Sequence, residues 1–186
     1  MRLSIARSRL APSAAALGLL ALSGILFAGP LALPIPRLVP GDPQLRLMLP
    51  ALLASAVSST FAQPLLPAEE LSPREVRRIV ACVAAGTLGG ITLILGVASL
   101  LSRDAGFLAS ARNTLIYAGA GFVAVALVGG IGTAIPVVAA MLLAVVASED
   151  GSRLLAWAVS PSWDAVTFLV ALGIAGAGLA VVARGP

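Results

Sequence analysis

The chain has 186 residues, 59% of them hydrophobic and only 11% charged. A soluble domain carries about 25% charged residues and needs polar cover on its exterior, so this composition excludes a water-soluble globular fold and points to an all-α polytopic membrane bundle. The net charge of +4 comes from twelve Arg with no Lys, and no basic, aromatic-interleaved face accompanies it, so no nucleic-acid partner is expected.

The N-terminus, MRLSIARSRLAPSAAALGLLALSGILFAGPLALP, sets Arg2, Arg7 and Arg9 ahead of an apolar run at about 14–33. It looks like a signal peptide, with Ala28 as a small cleavage-site residue. The run is long for that, and further apolar runs follow. It is read as a first membrane span with a cytoplasmic N-terminus.

Pro34 to Arg46 holds four prolines and a glycine, a spacing that forbids a regular helix and makes an extended external loop. A second span follows at about 47–66, with Pro50 in its first turn, where a missing N–H matters least. Its Ser55, Ser58, Ser59 and Thr60 are small polar residues suited to helix packing.

LPAEELSPREVRRIV, Leu66 to Val80, concentrates three Glu and three Arg between two apolar runs. Its cytoplasmic stretch is 67–78. Ser72-Pro73-Arg74-Glu75 is a helix start: Ser72 can cap, Pro73 suits the first helical position and Glu75 completes a capping box. The helix leads into a third span at about 79–101. Within it Gly86 and Gly90, flanked by Ala85 and Gly89, form a small-xxx-small face and are the candidate helix-packing residues.

SRDAGFLASARN, Ser102 to Asn113, reads as a polar loop. The apolar block Thr114 to Ala147 would make a helix of about 50 Å, far beyond a hydrocarbon core of about 30 Å. GGIGTAIP, Gly129 to Pro136, interrupts it, so two spans are expected at about 114–130 and 134–148 with a minimal turn between them. Ser148 to Asp164 is mixed. It carries Trp157 and Trp163 near a membrane boundary, and Leu154 to Val159 is long enough only to lie in the interface. A last span at about 165–183 ends in Arg184-Gly185-Pro186.

Six spans with an inside N-terminus put Arg2, Arg7, Arg9, Arg74, Arg77, Arg78 and Arg184 in the cytoplasm. Arg37, Arg46, Arg103, Arg112 and Arg153 fall outside, a bias of the expected sign. A five-span threading has the same balance, so length decides for six.

No catalytic constellation is visible, and the chain is not expected to be an enzyme. The absence of His excludes His-ligated haem, His zinc sites and Ser-His or Cys-His triads, so no cofactor or metal is expected. Cys82 sits in an apolar run and reads as a small core residue. GAGFVA, Gly119 to Ala124, fits the dinucleotide pattern G-x-G-x-x-A. It lies inside a span with no strand before it and no acid after it, so it reads as Gly/Ala packing. Arg112-Asn113 reads as an interfacial anchor with a snorkelling Arg, and Asp104 and Asp164 as loop or cap residues. For Glu69 to Arg78 two readings stay open: a solvated loop that fixes orientation, or a short helix that docks on a soluble partner.

The threading, with its charged stretch between spans two and three, resembles a small bacterial permease subunit of the ABC-2 type. ARNTL, Ala111 to Leu115, and WAVSPSWDAVTFLVALGIAGAGLAVVARGP, Trp157 to Pro186, are similar to the corresponding pieces of actinobacterial-type permeases. The resemblance implies a plasma-membrane exporter subunit that pairs with itself or a second permease. A separate ATP-binding subunit would dock on Arg74, Glu75, Arg77 and Arg78. Ser148 to Asp164 would match the external hairpin before the last span. The chain has no Lys, so it cannot build a phosphate-binding loop of its own. Two alternatives stand beside this one: a six-span substrate-binding membrane module, and a structural or assembly protein of the membrane.

Overall fold

The computed structural model describes residues 14–19, 45–62, 73–103, 106–150 and 165–184. The expectations for Pro34 to Gln44, for Glu69 to Ser72 and for Trp157 and Trp163 lie outside the described residues, as does most of the first span. A helical stretch at 14–19 (α1) is followed by α2 (Leu45–Ala62), α3 (Pro73–Ser102) and α4 (Gly106–Val128). A 3₁₀ turn (Gly129–Ala134), α5 (Ile135–Asp150) and α6 (Ala165–Arg184) complete the order. The described residues are helical apart from the single turn residue Arg103.

Three segments are long and apolar enough to cross a membrane: Arg74–Leu101, Phe107–Leu143 and Ala165–Arg184; Met48–Ala62 is apolar but shorter. Leu93, Leu100, Leu101, Leu127, Ile131 and Leu169 are exposed on these helices, the pattern of a bundle whose surroundings are as apolar as its interior.

α4 is the hub, packed against α2, α3 and α6. Its Leu115, Ala118 and Phe122 are buried with Leu53 and Val57 of α2, Leu88, Ile91 and Leu95 of α3, and Ala171 and Ala175 of α6. Ala16 of α1 joins the same core. Phe61 meets Phe122 edge to face, with ring centroids 5.3 Å apart, and also packs on Val76 and Val80 of α3.

α3 buries Val76, Val80, Ala84, Leu88, Ile91, Leu95 and Ser99, one stripe at three- and four-residue spacing over its whole length. Gly86, Gly89 and Gly90 fall on other faces, and a β-carbon added at any of them would meet nothing within 4 Å among the described residues. Cys82 is exposed. It was expected as a core residue. The helical phase corrects that, because Cys82 lies half a turn from the Val80 and Ala84 that enter the core.

α4 starts at Gly106, so the expected loop Ser102 to Asn113 is mostly helix. Phe107, Leu108, Ala109 and Ala111 are adequate helix formers, and burial of Ser110 to Thr114 against neighbouring helices outweighs their polarity. α3 stops at Arg103, which takes a left-handed φ of 55°, the conformation that ends helices.

The expected break in the long apolar block is present. α4 ends on Gly129, whose φ of +68° suits a residue without Cβ. Gly132 then packs on the backbone of Ala124 and Val125, where a β-carbon would come within 2.6 Å of the Ala124 carbonyl oxygen. A β-carbon at Gly121 would lie 3.1 Å from Cγ of Pro136, although a straight helix would separate these residues by about 22 Å. The chain therefore doubles back. Thr133 Oγ1 donates to the Gly130 carbonyl at 2.8 Å, satisfying a turn acceptor locally.

Pro50 is helical and buried inside α2, further in than the first turn expected for it. α5 and α6 begin and end within about two residues of the expected 134–148 and 165–183.

Candidate functional site

Two groups of polar residues stand out, at opposite ends of α3. The first is its opening turn. Pro73 is the first helical residue and Glu75 lies in the first turn, where a carboxylate opposes the positive end of the helix dipole. Arg74, Glu75 and Arg78 are exposed and Arg77 is half-buried. The four candidate docking residues thus share one accessible charged turn, while Val76 between them enters the core beside Phe61. This anchors the turn to the bundle on one side and leaves its charged side chains accessible on the other.

The second group was not singled out as a site by sequence. Ser110, Arg112, Asn113 and Thr114 of α4 are buried, and so is Ser99 near the end of α3. Arg112 is only 3% exposed. It was expected as a snorkelling interfacial anchor; instead the helix extends six residues before it and the residue is buried. Arg112 Nε donates to Asn113 Oδ1 at 3.3 Å, and Thr114 Oγ1 donates to the Ser110 carbonyl at 2.8 Å. One signal was legible in advance: Arg112 is the only charged residue between Gly106 and Ser148. A lone charge in so long an apolar stretch is costly, which marks it for attention.

Elsewhere hydroxyls turn inward on their own helices. Ser59 donates to the Ala56 carbonyl and Thr60 to Val57, both at 2.7 Å, and Thr87 donates to Val83 at 2.9 Å. Among the described residues, the buried Oγ atoms of Ser55 and Ser58 and Oγ1 of Thr92 have no hydrogen-bond partner. The helix-packing candidates Gly86 and Gly90 are not brought against another part of the described chain. The glycines placed closely against another part of the described chain are Gly119, Gly121, Gly132 and Gly178. Two of these belong to GAGFVA, where small residues serve close packing of helices.

About 37 Å of unbroken helix joins the charged turn to Ser99. The buried stripe of α3 is packed along its length. No family model matches the chain, and no curated protein or solved structure matches it either.

Proposed function

We propose that the chain is an integral membrane permease subunit, driven by a separate ATP-binding subunit and working as an exporter. The six-span threading with a cytoplasmic N-terminus in a bacterial plasma membrane belongs to this proposal, as does pairing with a second permease or a second copy. The observation that carries it is the opening turn of α3. Arg74, Glu75, Arg77 and Arg78 form an accessible, rigidly rooted charged turn on a helix that runs uninterrupted to the buried polar group at its far end. Such a turn suits a soluble partner, because exposed charges select and orient partners at little cost to the bundle.

The test is affinity capture from the native membrane of the full chain and of a double variant, Arg77→Glu with Arg78→Glu. An ATP-binding subunit should co-purify with the wild type and be lost or strongly reduced in the variant. Capture of that subunit in equal amount by both would refute docking at this turn.

A second reading, a substrate-binding membrane module, is favoured by the buried cluster Ser99, Ser110, Arg112, Asn113 and Thr114. A small molecule co-purifying with the isolated chain, with no ATPase present, would mark that reading.

A further inference from the structure

We infer that the reversal between α4 and α5 is a lipid-embedded tip: Leu127, Val128 and Ile131 turn among the acyl chains of the bilayer, just inside its head-group boundary, and not in water or against a soluble partner. The inference rests on the helices crossing a bilayer and on no other part of the transport reading.

Exposure and polarity come first. Leu127 is 78% and Ile131 80% exposed, and Val128 and Ile135 beside them are exposed as well. A tip of this kind is a contact surface for something apolar. No charged residue lies between Arg112 and Glu149. The one hydroxyl of the reversal, on Thr133, donates to the Gly130 carbonyl, and the Ile135 N–H donates to the Gly132 carbonyl. Gly132 itself is buried against the backbone of Ala124 and Val125. Water would satisfy such groups in an open loop; among acyl chains the backbone has to satisfy them from within, as this 3₁₀ turn does.

Depth comes second. A β-carbon at Gly130 would touch Ala62 Cβ at 3.9 Å, and the adjoining Phe61 packs on Val76 and Val80. The reversal therefore lies at the end of the bundle that carries Arg74, Arg77 and Arg78. Two helices measure how far toward the surface each element reaches. α3 runs about 36 Å from Arg78 to Ser102, next to Arg103, so its charges clear both sides of a hydrocarbon core of about 30 Å. α5 closes on Glu149 and Asp150. From Glu149 back to Ile135 is only about 21 Å of helix, too short to clear that core. With its acidic end held at one boundary, the reversal stays on the lipid side of the charged turn. At that depth the neighbours of Ile131 are acyl chains, while Arg74 and Arg78 stand above it in water.

The test is spin-label accessibility in the full chain, with Cys82 replaced by Ala and one cysteine introduced at a time. Leu127→Cys, Ile131→Cys, Leu93→Cys and Arg74→Cys are labelled in detergent and then reconstituted in phosphatidylcholine–phosphatidylglycerol vesicles. Collisions are measured with oxygen, which dissolves in lipid, and with a nickel chelate, which stays in water. Leu93, exposed on the middle of α3, is the lipid reference and Arg74 the water reference. Ile131→Cys and Leu127→Cys should follow Leu93→Cys, with oxygen collisions dominant, and the ratio should invert at Arg74→Cys. The two tip positions lie on either side of Gly129 and Gly130, so one reports if the other disturbs the turn. Nickel collisions at Ile131→Cys as frequent as at Arg74→Cys would place the reversal in water and overturn the inference. Protection of both tip positions from oxygen and nickel alike would mean that protein covers them, and would overturn it too. Nickel-dominated signals at Leu93→Cys would remove the bilayer itself from this part of the chain. No ATP-binding subunit takes part in any of these readouts, so the tip and the docking turn can fail separately.

Discussion

Gly119 of α4 and Gly178 of α6 meet backbone to backbone. A β-carbon on Gly178 would lie 2.6 Å from the Gly119 carbonyl oxygen, and one on Gly119 would lie 2.6 Å from the carbonyl oxygen of Ile174. These obstacles are main chain and cannot rotate away. Gly119→Ala and Gly178→Ala should therefore each force the helices apart, at about 1–3 kcal/mol or more. Gly173 and Gly176 lie on the same helix with nothing within 4 Å among the described residues, so alanine there should be neutral or raise stability by up to about 1 kcal/mol. Thermal melts of the four variants in one detergent check this. Equal effects at all four positions would remove the close crossing from the fold.

The Ser58 hydroxyl is fully buried against Gly121, with no hydrogen-bond partner among the described residues. An unsatisfied buried hydroxyl is a net cost, so Ser58→Ala should stabilise the chain by about 1 kcal/mol. Thr60→Val should do the opposite, because Thr60 donates to the Val57 carbonyl from an equally buried position. Chemical denaturation of both variants should show midpoints moving in opposite directions. A destabilised Ser58→Ala would mean that the hydroxyl has a partner in the folded protein.

How much of this could be read from the chain alone varies with the physics involved. Apolar length and the Gly129 to Pro136 breakers are local, and they forecast the break and the two helices beside it. The start at Pro73 was equally local, set by a residue that is best accommodated in the first turn. The start of α4 was not legible: Phe107 to Asn113 looks like a loop by polarity, and only burial by other helices makes it a helix. The candidate glycines show a related limit. Spacing shows that Gly86 and Gly90 share a face, but not which face another backbone approaches. Gly119 and Gly178 lie far apart in sequence, and nothing local pairs them. Arg112 was visible as an isolated charge, while its burial depended on the tertiary packing of α4.

The reversal after α4 depends on two glycines for different reasons. Gly129 has a left-handed φ, which costs an L-residue roughly 1–2 kcal/mol, so Gly129→Ala should lose about that much. Gly132 packs directly on the Ala124 and Val125 backbone, so Gly132→Ala should lose more, because turn and helix must separate. Gly130 is the internal control: an added β-carbon would meet only Ala62 Cβ at 3.9 Å, an ordinary contact. The predicted order of melting temperatures is Gly130→Ala highest, Gly129→Ala next and Gly132→Ala lowest. A Gly132→Ala variant as stable as Gly130→Ala would mean that the chain does not fold back at this point.

The open face of α3 separates stability from association. Gly86 and Gly90 have no neighbour in the described chain, so alanine at either should leave the single chain as stable as before, or better by up to about 1 kcal/mol. If the permease reading holds and two copies meet along α3, the same substitutions should weaken the dimer, because added β-carbons keep two backbones from close approach. Cys82 is exposed one turn before Gly86, on the same side of the helix, and reports on this directly. Oxidation of the wild type in native membranes should give a disulfide-linked dimer through Cys82. Gly86→Ala with Gly90→Ala should reduce its yield while the melting temperature holds or rises. A yield unchanged by the double substitution would move any self-association to another face. A fall in both yield and melting temperature would mean that these glycines pack within the chain.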